Sequence, residues 1–504
     1  MRCIQKQSEG VPACLPPLSY PPIPKGGKVK HALSLGLDIW NNLDRYQAEY
    51  GDSFTLTLPN QGPMVWTGDP EVVKDTFALK PEEYDPFKVQ IPIDVGEQCV
   101  LFENFKTHQD SRKRIIPTLT TTQLKNRAGV MHEIITEYID SWKVGESFNF
   151  PRVVGDMTLD IICYTLFGLR EGARKEKYKE LILGWLVTST NDTMFTIGSL
   201  VGARKFRAKM NAAYQKRLDA GKMGNLKKGL LPWKQPLDYK VQLAKMIIED
   251  VNAIRARMDE NESHLLSVFA RAKYDDGEFL EMEKIISESI ALMVAGHETS
   301  AATFAWMMVW MLKKPQVVQK IREEIAASIE KEGRFDPLVI SELPYITACL
   351  NESQRVSPSA PATVRWLTHD TQLGKWLFPA GTCIAPCMYL TQRRKDIYGE
   401  DAHEFRPERW LDGSCKPKPW EFFPFGGGRR ACAGMAQARQ QIRIIIAEIA
   451  RRVDFESKEA YVTSDTLPTP RLVGGQTEPK DGVWVTVKNV RPASENLSAL
   501  RKSA

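Results

Sequence analysis

Apolar residues fall at intervals of three and four over most of the chain up to about Leu350, the spacing that gives a helix one buried face. Helices are predicted from Asp38 to Tyr50, from Asp69-Pro70 through about Ala78, and from Lys106 to about Ile116, where Pro117 ends the pattern. Ser53 to Leu58 and Pro63 to Trp66 read instead as short strands on either side of the turn Pro59-Asn-Gln-Gly62. Glu82 to Glu103 has mixed polarity and no period, so it reads as a loop.

The longest pattern runs from about Glu281 to Leu312. Its middle is apolar except at His297, Glu298, Thr299, Ser300 and Thr303. A membrane span would place those groups in hydrocarbon, at about 2.5 kcal/mol or more for a charge. A helix buried through the centre of a globular protein is therefore predicted. An acid and a hydroxyl inside such a helix need partners or a chemical task. Gly296 leaves one turn without a side chain, where the helix can widen and admit a small molecule. Position 301 is Ala, so His297-Glu298 does not begin a zinc-binding HExxH motif.

Past Leu350 the pattern changes to Gly, Pro and β-formers, as in Leu377 to Gly381 and Thr382 to Tyr389. These read as strands and turns wrapped around the helical part, with a second long helical pattern after Gly434. No stretch has the composition of a domain linker. The organisation predicted is a proline-rich entry over residues 1–30, one domain over residues 31–490 and a tail over residues 491–504. The entry, with Pro12, Pro16, Pro17, Pro21, Pro22 and Pro24, is stiff and extended.

Charge singles out one segment. From Ala203 to Gln235 there are ten Lys and Arg residues against the single acid Asp219, with Phe206, Tyr214, Leu230, Leu231 and Trp233 among them. This reads as a lid resting on an anionic membrane surface, or as a solvated basic face. The whole chain, 504 residues with net charge +6, is only mildly basic, and no basic array interleaved with aromatics marks it for nucleic acid. Nine dispersed cysteines with no CxxC pair argue against a disulfide framework or a structural zinc site, and for a reducing compartment. The first ten residues carry no apolar run fit for a signal or an anchor, though a chain trimmed of one would look the same. A cytoplasmic protein is expected, with peripheral membrane attachment as the alternative.

Candidate chemistry concentrates in Phe425-Gly-Gly-Gly428-Arg-Arg430-Ala-Cys432-Ala-Gly434. A cysteine at the start of a helix meets unpaired backbone N–H groups, which favour thiolate over thiol. The glycines let the backbone pass close to something flat and bulky, and Arg430 supplies a permanent cation. Taken alone, Cys432 reads as readily as a small buried hydrophobe. Three other motifs stand in order with it: Ala295-Gly296-His-Glu298-Thr299, Glu352-Ser-Gln-Arg355 at helical i, i+3 spacing, and Phe405-Arg-Pro407-Glu-Arg409-Trp410.

Together these motifs resemble the cytochrome P-450 superfamily of haem-thiolate monooxygenases, of bacterial type, over nearly the whole chain. Phe425, Gly428, Arg430, Cys432 and Gly434 fill the five fixed positions of the family's Phe-x-x-Gly-x-Arg-x-Cys-x-Gly pattern. The resemblance implies a mainly α fold with a small β-rich lobe, and haem b held by Cys432 as proximal thiolate. It implies proton delivery to bound dioxygen by Glu298 and Thr299, and shielding of the sulfur by Phe425. Glu352, Arg355 and Arg409 would form a triad that fixes the cysteine loop. Arg430, Arg365 and Arg112 match propionate-binding positions. His108 replaces the family's usual tryptophan four residues before Arg112, which makes it a second candidate donor.

An apolar substrate pocket is expected around Met293, Ala295, Ala360, Ala362, Thr363 and Leu472, with Val95 and the loop Glu82 to Glu103. The stretch from Gly381 to Tyr398 is similar to bacterial relatives that act on fatty acids or terpenes. The implied reaction is insertion of one oxygen atom, as in hydroxylation, into a lipid, terpenoid or other secondary metabolite. No flavin- or iron–sulfur-binding stretch is left over, so a separate reductase or ferredoxin would deliver electrons from NAD(P)H. Arg429, Arg439 and Arg443 with Arg112 to Arg114 would offer that partner a positive face. The alternatives are a peroxide-dependent or isomerising haem-thiolate enzyme, against which Glu298-Thr299 argues, and a non-catalytic haem sensor.

Overall fold

The long apolar pattern folds as one helix, Met282–Lys313, and the rest of the chain is arranged about it. The structure, a computed structural model, describes residues 18–59, 62–85, 93–257, 259, 262–473 and 475–493. The helix serves two hydrophobic cores. Ile285, Ile286, Ile290 and Met293 enter one, with the helices Ala173–Ser189 and Lys234–Arg257. Phe304, Trp306, Met307, Met308 and Trp310 enter the other, with the helices Thr121–Ser141 and Met435–Arg452. A helix apolar on nearly all sides is stable only when both faces are covered in this way.

Gly296 does not widen the helix. The backbone there stays helical, and the missing side chain admits helix Phe150–Phe167 instead: a Cβ at Gly296 would lie 2.7 Å from Ile162 Cδ1. Gly155 on the partner helix faces His297 in the same manner, with a Cβ-to-ring distance of 3.2 Å. One glycine from each helix thus permits a close crossing.

The β-rich lobe contains a four-stranded sheet in the order Ser53–Thr57, Pro63–Thr67, Cys383–Pro386, Arg365–Trp366. Ser53 pairs with Thr67, Met64 runs parallel to Cys383, and Arg365 opposes Ile384. A three-stranded sheet joins Ser147–Asn149, Trp484–Val490 and Val453–Glu456. The proline-rich entry is not a separate segment over its described part. Thr55 N–H donates to Pro22 O at 2.8 Å, Ser19 N–H donates to Leu377 O at 3.1 Å, and helix Gly27–Leu37 begins inside it. At the other end, residues 491–493 are still tied down, Arg491 N–H donating to Arg452 O and Ala493 O accepting from Arg451.

The basic segment divides in two. Helix Ala203–Asp219 buries Phe206, Arg207, Met210 and Tyr214, so half of it is core rather than lid. Residues 220–233 carry the exposed part, including Met223, Leu230 and Leu231. No helix among the described residues is long and apolar enough to cross a membrane.

The element that fixes the C-terminal third is a buried ion cluster. Helix Pro344–Val356 carries Glu352 and Arg355, both without exposed surface, and Arg409 joins them from the short turn Pro407–Trp410. Glu352 accepts from Arg355 Nε and Nη2 and from Arg409 Nε, each at 2.8 Å, and from Trp410 Nε1 and the Arg406 N–H, each at 2.9 Å. The guanidiniums spend their remaining donors on carbonyls: Arg355 on Gln392, Ala402 and Glu404, Arg409 on Tyr398 and Asp401. The chain from 392 to 410 is therefore laid down on two cations.

Gln392 passes this order onward, donating to Gln354 O and accepting from Phe423 N–H, each at 2.9 Å, just before the cysteine loop. Removing this carboxylate leaves the buried Arg355 without a carboxylate partner and Arg409 with Asp401 alone, at 3.2 Å. Glu352→Gln is expected to lower stability by about 3–5 kcal/mol, read from the denaturant midpoint; a loss below about 1 kcal/mol, the range of a surface pair, would contradict this.

Candidate active site

The loop from Phe425 to Gly434 closes on itself, Cys432 N–H donating to Phe425 O at 2.9 Å, and delivers the chain into helix Met435–Arg452. Its glycines face an unexpected surface. A Cβ at Gly427 would lie 2.2 Å from the Phe77 ring, and one at Gly428 would lie 2.2 Å from Phe77 O, where φ is +65° besides. Phe77, at the end of helix Pro70–Ala78, is thus one group that these glycines pack against. Phe425 has its ring under the Arg439 guanidinium, 5.1 Å away.

Cys432 is the one exposed cysteine among those described; Cys99, Cys163, Cys349, Cys383, Cys387 and Cys415 are buried. Its thiol is nonetheless pushed up by the surrounding protein. The Gly434 N–H and the Arg112 charge pull the other way. The expected help from the helix start is present, but burial outweighs it.

Four of the cofactor candidates meet at one cleft of about 620 Å³, lined by His108, Arg112, Gly428 and Arg430 with Tyr84 and Phe105. Arg430 directs its Nη groups to the carbonyls of Val100, Leu101 and Glu103, while its Nε is buried with no partner. Arg365, on its strand, donates to Thr363 Oγ1, Val364 O and Gly427 O. Both guanidiniums lie over the Tyr84 ring, at 5.3 and 5.8 Å. Arg112 donates to Ala431 O at 2.7 Å. None of the three arginines has a carboxylate partner among the described residues.

Burial first, and neighbouring cations second at Arg365 and Arg430, disfavour the charged forms. Burial lowers Arg365 to about 10. Burial, then the charges of Arg430, Arg112 and Arg365, push His108 down to about 3. His108 is thus neutral and offers a single N–H.

On the central helix, Ala295 and Thr299 are the two exposed positions in an otherwise covered stretch, one turn apart. The Thr299 hydroxyl donates to Ala295 O at 2.7 Å. Glu298 beside it is half-buried, and burial, then the charge of Glu478, raises its carboxyl to about 7. His297 is buried against Thr158 and neutral, lowered to about 4 by burial. Gln441 of the cysteine's helix donates to Ser300 Oγ at 2.7 Å, tying the two elements together.

The pocket expectations fare unevenly. Met293 has no exposed surface and lies wholly in a core, because two residues from Ala295 is about 200° around the helix. Val95 is buried as well. Thr363 holds Arg365. Ala360 packs beside Val73, Met388 and Phe423, and Ala362 and Leu472 pack against the larger core, all three half-buried. Part of the loop Glu82 to Glu103, residues 86–92, lies outside the described residues. The expected positive face is also reduced: Arg443 is buried on Thr347 and Glu342, and Arg439 covers Phe425, leaving Arg429 and Lys113 exposed.

These residues fit a haem. One accessible sulfur, that of Cys432, could ligate the iron, and no group of three His, Cys, Asp or Glu side chains among the described residues could hold a metal by itself. The unpaired cations are the complement of a dicarboxylate. Sequence reading missed Phe77, Tyr84, Gln392 and a buried lysine, Lys284. Only Lys284 left a signal, its i, i+4 pairing with Glu288 on an apolar helix.

The family model for cytochrome P450 matches residues 16–481. The chain belongs to that family, whose members are haem-thiolate monooxygenases with a cysteine-ligated haem. It is similar to a Mycobacterium bovis protein provisionally named cytochrome P450 138, 25% identical over 447 residues, 88% of this chain and 92% of that one. It is likewise similar to one provisionally named cytochrome P450 135B1 from the same organism, 24% identical over 493 residues, 97% and 95% of the two chains. A solved structure titled retinoic acid bound cyanobacterial CYP120A1 superposes with a TM-score of 0.72 at 19% identity, covering 94% of this chain and all of that one. That likeness shows the mainly α fold with its small β lobe.

Proposed function

We propose that Cys432 holds the haem iron and that the chain inserts one oxygen atom into an apolar small molecule, a lipid, terpenoid or similar metabolite. The observation that carries this is the set of arginines, Arg365 buried and Arg112 and Arg430 half-buried, gathered with no carboxylate bonded to them among the described residues around the loop of one accessible cysteine. When bound, the haem supplies the activation of dioxygen. Electrons come from NAD(P)H through a separate reductase or ferredoxin that docks where Arg429 and Lys113 are exposed.

Arg365, Arg430, Arg112 and the neutral His108 receive the propionates. Phe425, pinned under Arg439, closes the loop whose N–H groups face the sulfur. Thr299 and Ala295 form the exposed stripe of the central helix over which the substrate lies, with Ala360, Ala362 and Leu472 as flanking surface. Glu298 moves the proton, since a carboxyl poised near 7 is half protonated at neutral pH and can both give and regain one. The donor form exists below about 7, so the proton-dependent rate falls as pH rises through that value. In Glu298→Gln this fall near pH 7 is expected to vanish and turnover to drop about 10²-fold or more. A variant that keeps the wild-type profile would refute the role.

Residues 220–233 are the part of the basic segment that would meet an anionic membrane. The support is the exposure of Met223, Leu230 and Leu231 beside the exposed Lys222, Lys227 and Lys228. Each such lysine is worth about 1 kcal/mol at an anionic surface. Flotation with phosphatidylserine vesicles, weakened in Leu230→Asp/Leu231→Asp, is the expected result; equal behaviour with and without vesicles would leave the segment a solvated face.

A further inference from the structure

Lys284 and Glu288 lie one turn apart on the first half of the central helix, and both are buried. The Lys284 ammonium meets three groups: the Glu103 carboxylate, Ser111 Oγ at 2.6 Å and Glu288 Oε1 at 2.9 Å. Ser111 in turn donates to the other oxygen of Glu103 at 2.6 Å. Glu288 uses its second oxygen to accept from the Val100 N–H at 3.1 Å.

The segment from Val95 to Glu103 is thereby gripped from the helix at two points. A third is steric: a Cβ at Gly96 would lie 2.0 Å from Ser287 Oγ, and φ there is +99°. On its far side this same segment presents the carbonyls of Val100, Leu101 and Glu103 to the Arg430 guanidinium. Both carboxylates, Glu103 and Glu288, are ion-paired to Lys284, whereas Arg430 meets only backbone oxygens of the segment. A buried ammonium held this well has a cost that only a fully bonded network offsets.

We propose that Lys284, acting with Glu103 and Glu288, is a positioning residue for Arg430 and hence for the carboxylate end of the haem. The central helix then sets the cation beside the cysteine loop through a short bonded relay: helix carboxylate and ammonium, backbone of residues 100–103, guanidinium. This rests on the reading of residues 425–434 as the haem loop. It adds a link that the loop itself does not contain, since Arg430 is held by carbonyls whose own position depends on side chains from the other wall of the site.

A double-variant cycle on the holoprotein tests it. The rate of haem transfer to excess apomyoglobin is measured for wild type, Lys284→Met, Arg430→Lys and the pair. Each single change is expected to speed haem loss about tenfold or more. The pair is expected to be no faster than Arg430→Lys alone, within about twofold, because the lysine acts through the arginine. Multiplying effects, or an unchanged rate in Lys284→Met, would overturn the proposal. If Lys284→Met yields no holoprotein, Glu288→Gln takes its place in the cycle with the same expectation. Wild type lacking a thiolate-ligated haem spectrum would fail the functional reading itself; with that spectrum in place, multiplying rates fail only the relay.

Discussion

Two guanidiniums, Arg355 and Arg409, are drawn out of water around the shared carboxylate of Glu352, with Asp401 beside Arg409, and the C-terminal third of the fold depends on that arrangement. A buried ion pair stabilises little by itself, because desolvation consumes the Coulombic gain. Its value here is directional. All five donors of Arg355 and four of Arg409 are committed, so the backbone from Gln392 to Arg409 has one place to lie. Gln392 carries the constraint to Phe423, and the cysteine loop starts two residues later. The loop's glycines then settle against Phe77, so the sulfur's position is set by an ion cluster behind it and an aromatic ring beside it.

The other end of the site is built on the opposite principle. Arg112, Arg365 and Arg430 are brought together with no carboxylate bonded to them among the described residues, and neighbouring His108 is held neutral by burial first and by their charges second. Leaving such cations unmatched costs folding free energy, as functional sites commonly do. The cost is tolerable because much of it is carried by backbone carbonyls, those of Ala431 and Gly427 and of Val100 to Glu103. Glu298 repeats the theme with the opposite sign: a carboxyl left half-buried near Glu478 instead of a cation, and hence poised near neutrality.

What was legible in the sequence follows from whether the signal was local. The long central helix, the strand pair around residues 59–62, the Asp69-Pro70 start and the loop-then-helix at Cys432 are all short-range patterns, and they hold. The spaced motifs, Glu352-Arg355, Arg409 and Cys432, were legible through the family they resemble. Roles set by packing were not. Gly296 looked like an opening and is a helix crossing; Met293 looked like pocket and is core; the loop glycines face Phe77. Arg443 read as part of a positive docking face yet is buried on Thr347 and Glu342. In each case the partner comes from a distant part of the chain, and nothing in the local pattern names it.

The central claim is that Cys432, alone among these cysteines, ligates haem iron through sulfur. The measurement that reaches it most directly is the carbon-monoxide difference spectrum of the reduced protein, wild type beside Cys432→Ala. The band of a thiolate-ligated complex is expected in wild type and its loss in the variant. A wild type without that band, or a variant that keeps it, would rule out Cys432 as the iron's ligand.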